Sequence, residues 1–168
     1  GRRVIIGELL TWRLLALLAS FNFAATVLVF VVPLVFTRTM MMMGNWAQHA
    51  FLDPRSPETA WGSSTNIIAS RHNRRCFNNG YHIIHHARPA MHWSILPREF
   101  VDNFAHYVDE GCVIFVGIPS FQVLALALVT QRYEWLERRL LRAPGDDRSA
   151  AQRIAMLRER TRPIDFSK

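Results

Sequence analysis

The chain has 168 residues, half of them hydrophobic, with 20 Lys and Arg against 13 Asp and Glu for a formal net charge of +7. That apolar share excludes a disordered polar chain, and two cysteines without metal-like spacing exclude a disulfide framework. The excess positive charge does not read as a nucleic-acid surface, because the basic residues are interspersed with acidic ones and bordered by membrane-length apolar runs; anionic lipid headgroups fit better.

Residues Val4 to Leu10 already read as part of an apolar helix. From Leu14 to Thr37 run 24 residues without a charge, about 36 Å long as a helix against a hydrocarbon core of about 30 Å, so the sequence predicts a transmembrane helix over about 13–37. Apolar residues surround this helix completely and leave no polar stripe for water. Pro33 is expected to kink it near its end. The run is too long for a secretory signal and lacks a small-residue cleavage site before Arg38.

Next comes Gly44-Asn45-Trp46-Ala47-Gln48-His49, which places Asn45 and His49 four apart on one helical face. His49 can bind a metal directly, and the Asn45 amide oxygen can hold a metal-bound water. A polar loop from Asp53 to Thr65 leads through the turn Asn78-Asn79-Gly80 to the densest feature of the chain, where His82, His85, His86 and His92 fall within eleven positions. On a helix, positions i, i+3 and i+4 share a face, so His82, His85 and His86 can converge on one point. Imidazole suits iron, zinc, copper and nickel, and a transition-metal site follows. Pro89 ends this helix, which places His92 outside the ligand set as a second contact or headgroup residue; His72 and His106 read as surface or packing residues.

A second uncharged stretch, Gly111 to Gln131, is long enough to span, but arginines on both flanks favour the same side of a membrane. Residues 111–131 are therefore expected as an interfacial or re-entrant helix. Beyond it, residues 132–142 and 149–160 read as basic amphipathic helices around the turn Ala143 to Asp147, with 143–168 a basic cytosolic tail. The expected fold class is all-α: integral membrane helices, with a helical histidine-box region over 44–100 facing the cytosol, and residues 1–142 forming one membrane domain.

Asn45-Trp46-Ala47-Gln48-His49 and His82-Ile83-Ile84-His85-His86 resemble the last two histidine elements of the integral-membrane fatty acid desaturase and hydroxylase superfamily. Gly80-Tyr81 before the second element, and Pro89 and Leu96-Pro97 after it, agree with that resemblance, which covers about residues 13–100. It implies an O₂-dependent oxidoreductase with a non-haem di-iron centre, in which His49, His82, His85 and His86 bind iron and Asn45 holds a bound water. It also implies an acyl-lipid or acyl-CoA substrate, desaturation or the related hydroxylation or ketolation, and an endoplasmic reticulum membrane setting with the boxes towards the cytosol. Two departures bear on this. No histidine precedes His49, so the family's earlier boxes are missing; either residues before Gly1 carry them, or the chain is a truncated, non-catalytic relative keeping part of the metal site. No His-Pro-Gly-Gly motif of a fused cytochrome b5 occurs, so electrons would come from a separate donor of cytochrome b5 or ferredoxin type. Trp46, Phe51, Phe77 and Trp93 are candidate walls for an acyl chain, and Asp53, Glu99, Asp102 and Asp109 are candidate partners for the outer N–H groups of the histidines.

Overall fold

A computed structural model describes residues 1–164, so Asp165 to Lys168 of the expected basic tail lie outside the described residues. It is 62% helix and 5% strand, mostly helical as expected, with two units divided between Met42 and Met43.

In the first unit the uncharged run is two helices, α1 (Arg2–Phe21) and α2 (Phe23–Gln48), rather than one span over 13–37. The break falls at Asn22, whose extended backbone (φ −153°, ψ 98°) ends α1. Its side-chain oxygen accepts the Ala25 N–H at 3.0 Å and so caps α2. Asparagine competes with helical backbone for its own N–H groups, which makes it a favoured cap even among apolar neighbours. The arms fold back as a hairpin, because Arg38 reaches Glu8 with two hydrogen bonds of 2.6 and 3.1 Å. Both helices are long and apolar enough to cross a membrane, and only 6% of each apolar window is buried, which distinguishes them from core helices. Pro33 does not end α2. A π-helical turn over Val27–Val31 precedes it, and this widened turn absorbs the clash that a proline ring makes with the carbonyl four residues back.

From Met43 onward the chain packs around two buried clusters. The stretch 111–131 is not a single helix: strand β2 (Val113–Val116) gives way to a break at Gly117–Ser120 and then to a nine-residue helix (Phe121–Val129). Gly117 takes φ +71°, where a side chain is strained, and the Ser120 hydroxyl accepts the Val123 N–H to start the helix. Val113, Ile114, Phe115, Phe121, Leu124 and Leu128 are buried, so this apolarity serves a protein core, although Leu126 and Val129 remain exposed. β2 pairs in parallel with β1 (Thr65–Ile68), with Thr65 opposite Val113 and Ile68 opposite Val116.

The C-terminal segment also differs from a free basic tail. Helix α3 (Ala150–Arg160) opens with a capping box, Ser149 and Gln152 each accepting the other's backbone N–H. It buries Leu157 in the first cluster and pairs buried Arg153 with buried Glu137 at 2.7 Å. At its end Arg160 donates to Asp53 at 2.6 Å and to the Gly111 carbonyl at 2.8 Å.

Candidate metal centre

Three side chains meet at one point. His49 follows the last residue of α2, and His82 and His86 stand on a six-residue helix, His82–Ala87. Their ligand-capable nitrogens all lie within 4.8 Å of one another. His82 Nε2 is 3.1 Å from His49 Nε2 and 2.9 Å from His86 Nε2, and the rings stand edge to face with centroids 4.5–4.9 Å apart.

The short histidine helix is held by asparagines of the preceding segment. Asn66 on β1 accepts the Ile83 N–H at 2.9 Å, satisfying a free donor of the first turn. Asn73 donates to the Ile67 carbonyl and accepts the Gly80 N–H, while Ile67 donates to the Gly80 carbonyl. A Cβ on Gly80 would stand 2.2 Å from both Asn73 Oδ1 and the Ile67 carbonyl, so only glycine fits this close approach. Ile83 and Ile84 are fully buried against Leu96, Phe100 and Tyr107, which turns the opposite face of the helix, with His82 and His86, towards His49. The helix ends at Ala87, two residues before Pro89, as its sequence predicts.

The nitrogens suit a cation. The Ser63 carbonyl lies 2.8 Å from His49 Nδ1 and can only accept, so Nδ1 carries the hydrogen and Nε2 offers a lone pair to the cluster. Burial, then the nearby His86, His49 and His85, hold His82 down to about 3, so its ring is neutral at physiological pH. Burial likewise lowers His86. Neutral imidazoles cannot all donate to one another across these short gaps, and a positive ion among the three lone pairs resolves the conflict. Three imidazole nitrogens are a donor set that iron accepts. Among the described residues, His82 Nδ1 is buried without a hydrogen-bond partner.

Not every expected residue joins the group. His85 is exposed, its ring centroid 5.9 Å from that of His82 and 5.6 Å from that of His86. Asn45 is exposed four residues before His49. His92 caps a short 3-10 turn, accepting the Ser94 N–H; His72 and His106 pack edge-on against Phe121 and Trp61. None of the four carboxylates proposed as ring partners bonds a histidine among the described residues. Asp53 binds Arg55 and Arg160, Glu99 accepts from Tyr107 and Asn103, and Asp102 pairs with Arg98. The ring-orienting acceptor is instead the Ser63 backbone carbonyl, which leaves no trace in the side-chain pattern. Phe121, 1% exposed, was also hidden: its ring lies 6.0 Å from His82 and floors the site from within the 111–131 stretch.

The proposed wall residues separate. Phe77 and Trp93 come together with centroids 5.4 Å apart beside a groove of about 510 Å³, also lined by Met91, Leu96 and His85. Trp46 lines a different recess with Leu128 and Tyr133, and Phe51 is buried against Phe115 in the core.

Neither a curated protein nor a solved structure matches the chain. Residues 2–116 match the family described as fatty acid desaturase, a stretch that runs from the start of α1 to the end of β2 and contains every histidine of the chain. With two helices fit to cross a membrane and a histidine cluster in the matched region, the chain belongs to the fatty acid desaturase family.

Proposed function

We propose that the chain is part of an O₂-dependent oxidoreductase that desaturates a lipid acyl chain at a non-haem di-iron centre. The observation that carries this reading is the convergence of His49, His82 and His86 within the family-matched region. In it these three bind iron directly, His85 joins them by a ring rotation, and Asn45 holds a bound water. Iron, when bound, supplies the O₂-dependent oxidation of an inert C–H bond. The protein's part is positional. The Ser63 carbonyl fixes the His49 tautomer, burial keeps His82 neutral, and Phe121 with Ile83 closes the floor against water. The acyl chain of an acyl-lipid or acyl-CoA lies in the groove between Phe77 and Trp93, beside His85. Electrons come from a separate cytochrome b5 or ferredoxin-type donor, and the setting is the endoplasmic reticulum membrane with the histidines towards the cytosol.

A second reading, a non-catalytic relative holding one metal, rests on the fact that the converging nitrogens number three while His85 and Asn45 stand outside. Expression in a desaturase-deficient host with a supplied electron donor, followed by fatty acid profiling and iron analysis of the purified protein, separates the two. A new double bond lost in His82→Ala supports the enzyme; one iron per chain with an unchanged lipid profile supports the second reading.

A further inference from the structure

A second polar recess lies away from the histidines, between the family-matched region and the C-terminal segment. Arg55, Arg148 and Arg160 line a cavity of about 140 Å³, whose apolar wall includes Phe104, Val108, Ile114 and Met156. Two of the three arginines come from beyond residue 116, where the family match ends.

The arrangement of charge is one-sided. Arg55 and Arg160 share Asp53, whose side chain is 2% exposed, and Arg148 pairs with Asp146, 6% exposed, whereas Arg55 and Arg148 are 76% and 48% exposed. The carboxylates are therefore sunk and the guanidinium groups of Arg55 and Arg148 stand forward, while Arg160, 11% exposed, lies deeper. Three arginines and no carboxylate line the recess, with Asp53 and Asp146 behind them and Glu110 near enough to act on Arg55. Burial pushes the Cys112 thiol up, so this lining residue stays neutral and adds no negative charge.

Donor capacity remains. Arg55 engages Asp53 through Nε and Nη2, and Arg148 engages Asp146 through the same pair. Arg160 uses Nη1 on the Gly111 carbonyl and Nη2 on Asp53. Among the described residues, no bond engages Nη1 of Arg55, Nη1 of Arg148 or Nε of Arg160. A guanidinium held by a carboxylate on one edge is already oriented, so it loses little entropy in binding a second acceptor. The apolar wall lowers the local dielectric and strengthens whatever the free N–H groups bind. At about 30 Å³ per water in the liquid, the cavity has room for about four or five oxygens, the size of a tetrahedral oxyanion.

We propose that this recess binds a phosphate group, held by Arg55, Arg148 and Arg160. The same chemistry serves a free phosphate ion and the phosphomonoester headgroup of a lipid. The test uses the full chain in nanodiscs of phosphatidylcholine, with inorganic phosphate titrated and binding followed by ³¹P line broadening. Saturable binding is expected for the wild type. Arg148→Gln and Arg55→Gln should each weaken it about tenfold, and Asp146→Asn, which removes the competing anion and keeps the turn's acceptor, should tighten it severalfold. A purely structural role for these pairs would not produce opposite signs at Arg148 and Asp146. Adding phosphatidic acid to the nanodiscs identifies the source: competition assigns the site to a lipid headgroup, and undiminished binding assigns it to the free ion. Absence of saturable binding in the wild type, or equal affinity in the wild type and the Arg148 and Asp146 variants, overturns the proposal. Where a glutamine variant fails to fold, as judged by its thermal transition, Asp146→Asn alone decides.

Discussion

The two units use apolar side chains in opposite ways. In residues 1–42, Phe21, Phe23, Val4 and Leu28 are 66–81% exposed, and the polar pair Glu8–Arg38 ties the two helices at long range. From Met43 onward, Phe51, Phe115, Phe121 and Leu124 are at most 1% exposed, and the histidines are positioned by that packing. Apolar side chains thus meet two different solvents, lipid in the first unit and protein interior in the second, and what distinguishes the units is exposure. Chemistry is confined to the second, where a rigid interior can hold imidazoles in place.

The contrast breaks most sharply in the core. Phe115→Ala should cost about 3–5 kcal/mol, because its cavity cannot collapse in a packed cluster. Phe23→Ala should cost under about 0.5 kcal/mol, since that side chain faces outward. Unfolding of the purified protein by denaturant, followed by tryptophan fluorescence, measures both; similar losses would abolish the distinction.

At the site, His82→Ala and His86→Ala should lower iron affinity by at least about 100-fold, while His72→Ala and His106→Ala leave it within a few-fold, since ligand loss exceeds the roughly 10–100-fold effect of outer partners. Iron analysis after dialysis decides this, and the number of irons retained per chain separates the di-iron reading from the one-metal reading. His85→Ala is the sharpening variant. An effect equal to that of His86→Ala would mean that the exposed ring rotates into the centre.

A smaller effect is expected from acid. The Arg55 hydrogen bonds, with Arg160 nearby, hold Asp53 down to about 2 from its ordinary 3.8. A carboxylate whose folded value is depressed adds stability above its unfolded value, and that stability disappears as pH falls through the folded one. The window is therefore about pH 4 to 2, and the loss is on the order of 2 kcal/mol. Limited proteolysis of α3 (Ala150–Arg160) across this range should show its release, and Asp53→Asn should remove the pH dependence while loosening the helix at neutral pH. Smallest is the hairpin break: Asn22→Ala should cost about 1 kcal/mol as a lost cap, measured by SDS titration in bicelles.

Much of the site could be read from the sequence because its information is in spacing. The i and i+4 positions of His82 and His86 do share a face, while His85 stands outside the cluster of three, since a six-residue helix packed through Ile83 and Ile84 presents only part of its surface to His49. The hairpin was legible in principle. Helix from residue 2 to 48 would reach about 70 Å at 1.5 Å per residue, over twice a hydrocarbon core, so a break near the middle was required, and of Ser20, Asn22 and Thr26 there, Asn22 is among the strongest helix caps. The 111–131 stretch could not be assigned by composition, because a short buried strand followed by a buried helix has the same apolar continuity as a membrane segment. Gly117 and Pro119 were the signals for its break. Ser63 could not be found, because it acts through its backbone.

The parallel pairing of Thr65–Ile68 with Val113–Val116 encloses every residue from Ala69 to Cys112 in one loop, the histidine helix included. Such a pairing gains nothing until a long excursion of chain has been closed, so its formation is slow and governed by sequence separation rather than by local preference. The meeting of His82 with His49, 33 residues apart, is likewise a long-range contact rather than a local one. A metal that binds the native triad would act chiefly on the unfolding rate, lengthening the lifetime of the enclosed loop without hastening its closure.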